Sequence, residues 1–186
     1  MVKYLSVCYL LVFNYIVYTL TGSYLLMRRI LTSITGVLIT GTCMAEGIFI
    51  HSHSAVSNRF AILDETDKVA FLYLTKPGEQ SPSNDAIAYM RVKPPVNFDW
   101  KAAASEGEPP LLPAKFASEK AVITGTSEAD FSFKWSCDGN SVALNYKNEP
   151  IAFVVGSEPT GFSKAVSVDN ALTNPWVQVL YTKYFE

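Results

Sequence analysis

Two apolar runs with a two-residue period lie close together between Phe131 and Tyr146. Phe131, Phe133 and Trp135 alternate with polar Ser132 and Lys134, and Val142, Leu144 and Tyr146 repeat the pattern. Such alternation puts one face of a strand in a core and the other in water. Between the runs, Cys137-Asp138-Gly139-Asn140 reads as a hairpin turn, because Asp and Gly tolerate the positive φ that tight turns require. Lys147-Asn148-Glu149-Pro150 is a second turn, and Ile151 to Val155 is apolar enough for a strand buried on both faces. Three strands joined by tight turns make a meander, which this reading takes as the core sheet.

Upstream, Arg59 to Leu63 and Val69 to Leu74 have β character, with Asp64-Glu65-Thr66-Asp67 as a polar hairpin turn between them. Lys76 to Asn84 is loop, and Asp85 to Val92 is a strand ended by Pro94-Pro95. From Pro94 to Lys120 periodicity is lost. This is a long Pro-rich connection with a helical turn at Trp100 to Ser105, and connections of that length are often functional. Ala121 to Thr124 and Gly161 to Val168 read as further strands. Asn174 and Pro175 suit the N-cap and first position of a closing helix that ends at Phe185. The predicted fold is mainly β: an antiparallel, meander or sandwich-like sheet with a long Pro-rich connection and a short C-terminal helix.

The N-terminal part has a different character. Tyr4 to Leu26 carries no charge and is long enough to span a bilayer. Read from Met27, residues 27–45 form a secretory signal: Arg28-Arg29, an apolar run from Ile30 to Thr42, then Cys43 and Ala45 at −3 and −1 before Glu46. Residues 1–26 are then untranslated upstream sequence or a membrane segment, and 46–186 a single β-rich domain. Cys43 raises a lipoprotein reading, which Thr42 before it fits poorly. The expected location is periplasmic or secreted, the alternative being anchorage through the N-terminal apolar segment.

Charge narrows the function classes. All 17 acids lie at or after Glu46 and three of the 15 bases precede it, which leaves 12 bases against 17 acids, or −5, in the domain. An acidic domain with no basic run argues against nucleic-acid binding, which needs basic patches to displace counterions. Beyond Cys8 and Cys43, Cys137 is the sole thiol, so no disulfide within the domain is expected.

The order of signals resembles a small bacterial domain family without assigned function. The resemblance rests on an acidic turn before an aromatic strand (Ala70-Phe71-Leu72-Tyr73) and an A-x-A-Y strand (Ala86-Ile87-Ala88-Tyr89). It continues through a W-S-x-D-G-x-x-V-A-L hairpin from Trp135 to Leu144, a Pro150-Ile151-Ala152-Phe153 strand and a Gly161-Phe162-Ser163-Lys164 turn. It covers roughly residues 58 to 176, with Ser163 standing where the family commonly has cysteine. It implies a fold and brings no catalytic residues.

Catalytic sets are hard to assemble. His51-Ser52-His53 puts two imidazoles on one side of a strand, but no third metal ligand is nearby, and the stretch reads as solvated and mobile. Cys137 lies beside Asp138, which disfavours a thiolate, and its only candidate bases are those two histidines. Asp64, Glu65 and Asp67 are explained by turn solvation more simply than by paired-carboxylate catalysis. No metal or cofactor is expected. The chain is expected to be an exported, non-enzymatic protein-binding module, such as an immunity-type inhibitor of a basic toxin. Asp64, Glu65 and Asp67 would supply its acidic surface, and Phe98 and Trp100 its aromatic contacts. The alternative is an envelope small-ligand-binding or structural protein.

Overall fold

Two hairpin-rich runs of sequence build two separate sheets, and the irregular stretches between and after them become their covers. The structure, a computed structural model, describes residues 47–186. The signal, membrane-segment and Cys43 readings fall outside the described residues. The first sheet contains β1 (Phe49–Ser54), β2 (Arg59–Glu65), β3 (Val69–Thr75) and β4 (Pro82–Met90), side by side in chain order and all antiparallel. The second contains β5 (Phe131–Trp135), β6 (Ser141–Tyr146) and β7 (Glu149–Val155) as an antiparallel meander. Two short strands extend it: β8 (Phe162–Ser163), antiparallel to β7, and β9 (Asn174–Pro175), parallel to β8. The helices are α1 (Trp100–Glu106) and α2 (Gln178–Phe185). The fold is therefore mainly β, as expected, and takes the sandwich form.

Alternation sorts each strand's residues between layers. Ala61, Leu63, Ala70, Leu72 and Leu74 of the first sheet pack against Phe131, Val142, Leu144, Ala152 and Val154 of the second. The opposite face of β3 and β4, with Val69, Phe71, Ile87 and Met90, lies under Leu111, Leu112, Phe98 and Phe116 of the Pro-rich connection. On the far side, Ala143, Phe153 and Val155 lie under Trp176 and α2 residues Tyr181 and Phe185. The central strands are thus covered on both faces, which explains their nearly continuous apolar sequence. Phe153 is fully buried among Phe162, Trp176, Tyr181 and Phe185, with ring centroids 4.7 to 6.0 Å away. Burying one such ring contributes roughly 1.5–3 kcal/mol.

Turn chemistry follows the sequence at both core hairpins. Gly139 has φ +68°, and Lys147 and Asn148 have φ +49° and +68°, as a tight two-residue hairpin turn needs. Asp138 accepts from the Asn140 N–H at 3.0 Å and from the Ser136 hydroxyl at 2.5 Å; the Ser136 bond leads in holding its carboxyl below the usual range. In α1, Asp99 caps the N–H groups of Lys101 and Ala102 at 2.9 and 3.1 Å, and Gly107 ends the helix at φ +77°.

Several boundaries differ from the sequence reading. β2 continues through Asp64 and Glu65, so these are strand residues and the turn begins at Thr66, whose hydroxyl donates to the Val69 carbonyl at 2.9 Å. Glu149 and Pro150 belong to β7 rather than to the turn before it. β4 starts at Pro82, inside the stretch read as loop. Ala121 to Thr124 forms only a bridge from Val122 to Met90, and the strand read from Gly161 to Val168 shrinks to β8. Asn174 and Pro175 do not start the last helix. The Asn174 N–H bonds the Gly161 carbonyl at 2.9 Å and its side chain donates to Thr160 at 2.8 Å, which holds the pair as β9 and leaves Val177 to precede α2. His51-Ser52-His53, read as a solvated and mobile stretch, lies within β1, with both histidines exposed.

Candidate functional site

The register of β1 decides what its edge presents. The Glu65 N–H donates to the Ile48 carbonyl at 2.8 Å, so even-numbered residues of β1 turn their backbone groups toward β2. Phe49, His51 and His53 turn theirs away. No backbone partner is present for these three among the described residues. Their side chains share the outer face of the sheet with Phe60, Ile62 and Asp64, which stand opposite in β2. His53 packs on Phe60 at 4.6 Å between ring centroids and its Nε2 lies 3.1 Å from the Asn58 amide oxygen; His51 lies 6.4 Å from the same ring. Phe49 is 48% exposed, large for a phenylalanine on a sheet. The inner side of β1 is tied down: the Trp135 Nε1 donates to the Ser52 hydroxyl at 3.0 Å across the sandwich.

The opposite edge of this sheet is closed. Met90 N–H bonds the Ala121 carbonyl at 2.7 Å, Ile123 N–H the Met90 carbonyl at 2.9 Å, and Gly161 N–H the Asp85 carbonyl at 2.8 Å. The Ile87 N–H donates to the buried Thr173 hydroxyl at 2.7 Å. In the second sheet β5 is also an edge strand, but it carries exposed Lys134, the kind of charge that discourages strand addition. β1, with the sequence FIHSHS, carries neither lysine nor proline.

The five residues expected from sequence to make contacts do not form one surface. Asp64 stands half-buried on the outer face, where desolvation pushes its carboxyl above the usual range. Glu65 points inward. Its side chain is 1% exposed, pairs with the Arg91 guanidinium at 3.1 Å, and accepts from the Thr126 hydroxyl at 2.9 Å and from the Tyr89 hydroxyl. It is a buried hub rather than a surface acid. Asp67 is exposed in the turn, and neighbouring Lys68 pairs with Glu108 just beyond α1, so turn and helix meet at one end of the sheet. Phe98 packs inward and pins the connection to the sheet. Trp100 is 40% exposed, with its Nε1 3.4 Å from the Leu111 carbonyl.

Among the described residues no group of three or more His, Cys, Asp or Glu is placed to hold a metal ion. Cys137 is exposed in the β5–β6 turn. A second feature, which the sequence reading did not single out, is a hollow of about 450 Å³ where the end of the Pro-rich connection meets the segment after β8. Ser118, Glu119, Lys120, Lys164, Val166 and Trp176 line it. Lys164 Nζ sits 4.8 Å over the Trp176 ring. Burial pushes the Lys164 ammonium below its ordinary value, Lys120 adds to that effect, and Glu149 opposes it. Comparison with protein-family models, with curated proteins and with solved structures finds no match to this chain.

Proposed function

We propose that the protein is an exported, non-enzymatic binding module that takes up an extended segment of a basic partner protein as an added strand on β1. The observation that carries this reading is the edge itself: the backbone groups of Phe49, His51 and His53, which have no partner among the described residues, with Phe49 standing exposed beside them. An extended segment of about six residues would satisfy those groups, and its alternate side chains would fall on the face formed by Phe49, His51 and Phe60. Main-chain bonds supply affinity in such a complex, and the face supplies selectivity. Asp64, desolvated on that face one strand in from the edge, favours a lysine or arginine long enough to reach across β1 to it, because a cation relieves its unmet charge. The −5 balance from Glu46 onward adds long-range attraction for a basic partner. An immunity-type inhibitor of a basic toxin is the class of protein that fits this chemistry.

The test is selection of a random-peptide display library on the purified protein, repeated with His51→Pro. Proline removes the outward N–H at the middle of the free edge and leaves the bonds to β2 intact. Selected peptides are expected to alternate apolar and basic residues and to bind less tightly as salt rises. His51→Pro should lose about tenfold or more in affinity, equivalent to one good hydrogen bond or more, without unfolding. Failure to select any peptide, or equal binding by His51→Pro, removes the reading. Acidic or salt-insensitive peptides remove the basic partner. Export is checked separately by expression from Met1 in a bacterial host: the periplasmic product should have the mass of a chain starting at Glu46, and an uncleaved product would make the protein membrane-anchored.

A further inference from the structure

We propose that the hollow between Lys120 and Lys164 is a binding site for a small multivalent oxyanion, a polyphosphate or polycarboxylate held between the two ammonium groups. The inference stands on different residues from the β1 edge and does not depend on it. Among the described residues the ion pairs engage Lys68, Lys76 and Arg91, and neither Lys120 nor Lys164 has a carboxylate within pairing distance. Both lysines nevertheless line one open hollow of a domain that is acidic as a whole.

The convergence is built. The Ser118 hydroxyl donates to the Lys164 carbonyl at 2.6 Å and accepts from the Lys120 N–H at 3.1 Å, while the Ser118 N–H bonds the Ala165 carbonyl at 2.8 Å. One serine therefore fixes the spacing of the two lysine-bearing segments. Trp176 fixes the direction of Lys164 by holding its ammonium over the ring at 4.8 Å, and Tyr181 packs on Trp176 at 4.9 Å. With those partners already on the indole, the site selects for charge rather than for an aromatic ring. The partial desolvation of Lys164 acts in the same direction, since a bound anion restores what the ammonium lost on burial. The hollow is shallow and open to solvent, which suits a small ion held by charge rather than an enclosed ligand. Glu119 on the rim disfavours a bulky anion that would spread beyond the lysine pair.

The test is titration calorimetry of the full chain in phosphate-free buffer with pyrophosphate and, separately, citrate. Lys164→Gln, Lys164→Arg and Lys120→Gln are compared with Lys134→Gln, a lysine of β5 that does not line the hollow. Saturable one-to-one binding is expected, weakened about tenfold or more by Lys164→Gln and by Lys120→Gln. Lys164→Arg should retain most of it and Lys134→Gln all of it. Pyrophosphate binding alone assigns a phosphate ligand and citrate binding alone a carboxylate. Absence of saturable binding by either probe overturns the proposal, as does equal weakening by Lys134→Gln, which would mean that only overall charge matters.

Discussion

Replacing Glu65 by alanine should be among the more damaging changes in the first sheet, and the structure says how much each part contributes. The carboxylate is 1% exposed and serves three groups from two segments: Arg91 at 3.1 Å and the Tyr89 hydroxyl from β4 and its end, and the Thr126 hydroxyl at 2.9 Å. Tyr89 is fully buried, so truncation leaves its hydroxyl with Thr126 as its remaining side-chain partner, a loss of about 1–3 kcal/mol. Breaking a buried ion pair costs about 3–5 kcal/mol, but Arg91 is 18% exposed and keeps the Thr66 carbonyl at 3.2 Å, so its share falls below that range. A total near 3 kcal/mol follows, a drop of roughly 6–12 °C in Tm for a domain of this size. Tyr89→Phe alone should cost about 1–1.5 kcal/mol, since Glu65 keeps two partners. The double variant should be more stable than the sum of the singles by about 1–2 kcal/mol, because the two groups interact directly and no buried hydroxyl is left short of its carboxylate partner. Burial, with Glu65 second, also holds the Tyr89 phenol well above its ordinary value. That contribution is complete below the unfolded pKa and disappears as pH rises through the folded one. Wild type should therefore lose stability above about pH 10 relative to Tyr89→Phe. Urea unfolding of the four proteins measures all of this. A loss below about 1 kcal/mol for Glu65→Ala, or strict additivity, would refute the hub.

Two further changes probe the face and the turn. Asp64 has a folded pKa raised by desolvation, so its stabilising contribution belongs to the protonated form and is lost as pH rises through the folded pKa. Asp64→Asn should accordingly raise Tm at pH 7, with the gain shrinking toward pH 4, in thermal scans across that range; an equal gain at both ends would contradict the desolvation argument. Gly139→Ala adds a Cβ that would collide with the Ser54 hydroxyl, at a backbone φ of +68°, and should cost about 1–3 kcal/mol in urea unfolding.

The β5–β6–β7 meander was legible because its apolar residues alternate and its turns use residues that accept positive φ, both local signals. β1 was not. Ser52 and Ser54 are inward-facing but polar, and the justification for Ser52 is Trp135, 83 positions away. Glu65 misled in the opposite way. It continues the inward period of Ala61 and Leu63, yet a carboxylate before Thr-Asp reads as turn, and its countercharge lies 26 residues on, at Arg91. The hollow joins lysines 44 positions apart through a single serine. Contacts of that range leave no periodic trace. The Pro-rich connection behaves intermediately: α1 was visible in outline, whereas the inward packing of Phe98 and Leu112 depends on the sheet beneath them.

The covers themselves narrow where a partner can bind. An antiparallel sandwich buries one face of each sheet and leaves two outer faces and the edges to be managed. Here the Pro-rich connection takes the outer face of β3 and β4, and Ala121 and Ile123 just after it bond the edge of β4 at Met90. The segment after β7 does the same for the second sheet with β8, β9 and α2. Both covering segments act on the β4 and β7 side, and where they meet they leave the lysine-lined hollow. Neither reaches the β1 and β5 side. Of the two strands there, β5 turns Phe131, Phe133 and Trp135 into the core and sets Lys134 against addition. β1 keeps Phe49 and two histidines outward, with no cover over them among the described residues. If strand addition on β1 is the function, His51→Lys, which keeps the backbone donor and sets a cation on the outer face, should weaken binding of basic peptides less than His51→Pro does. A His51→Lys variant that loses binding as completely as His51→Pro would mean that the side-chain face, and not the edge, receives the partner.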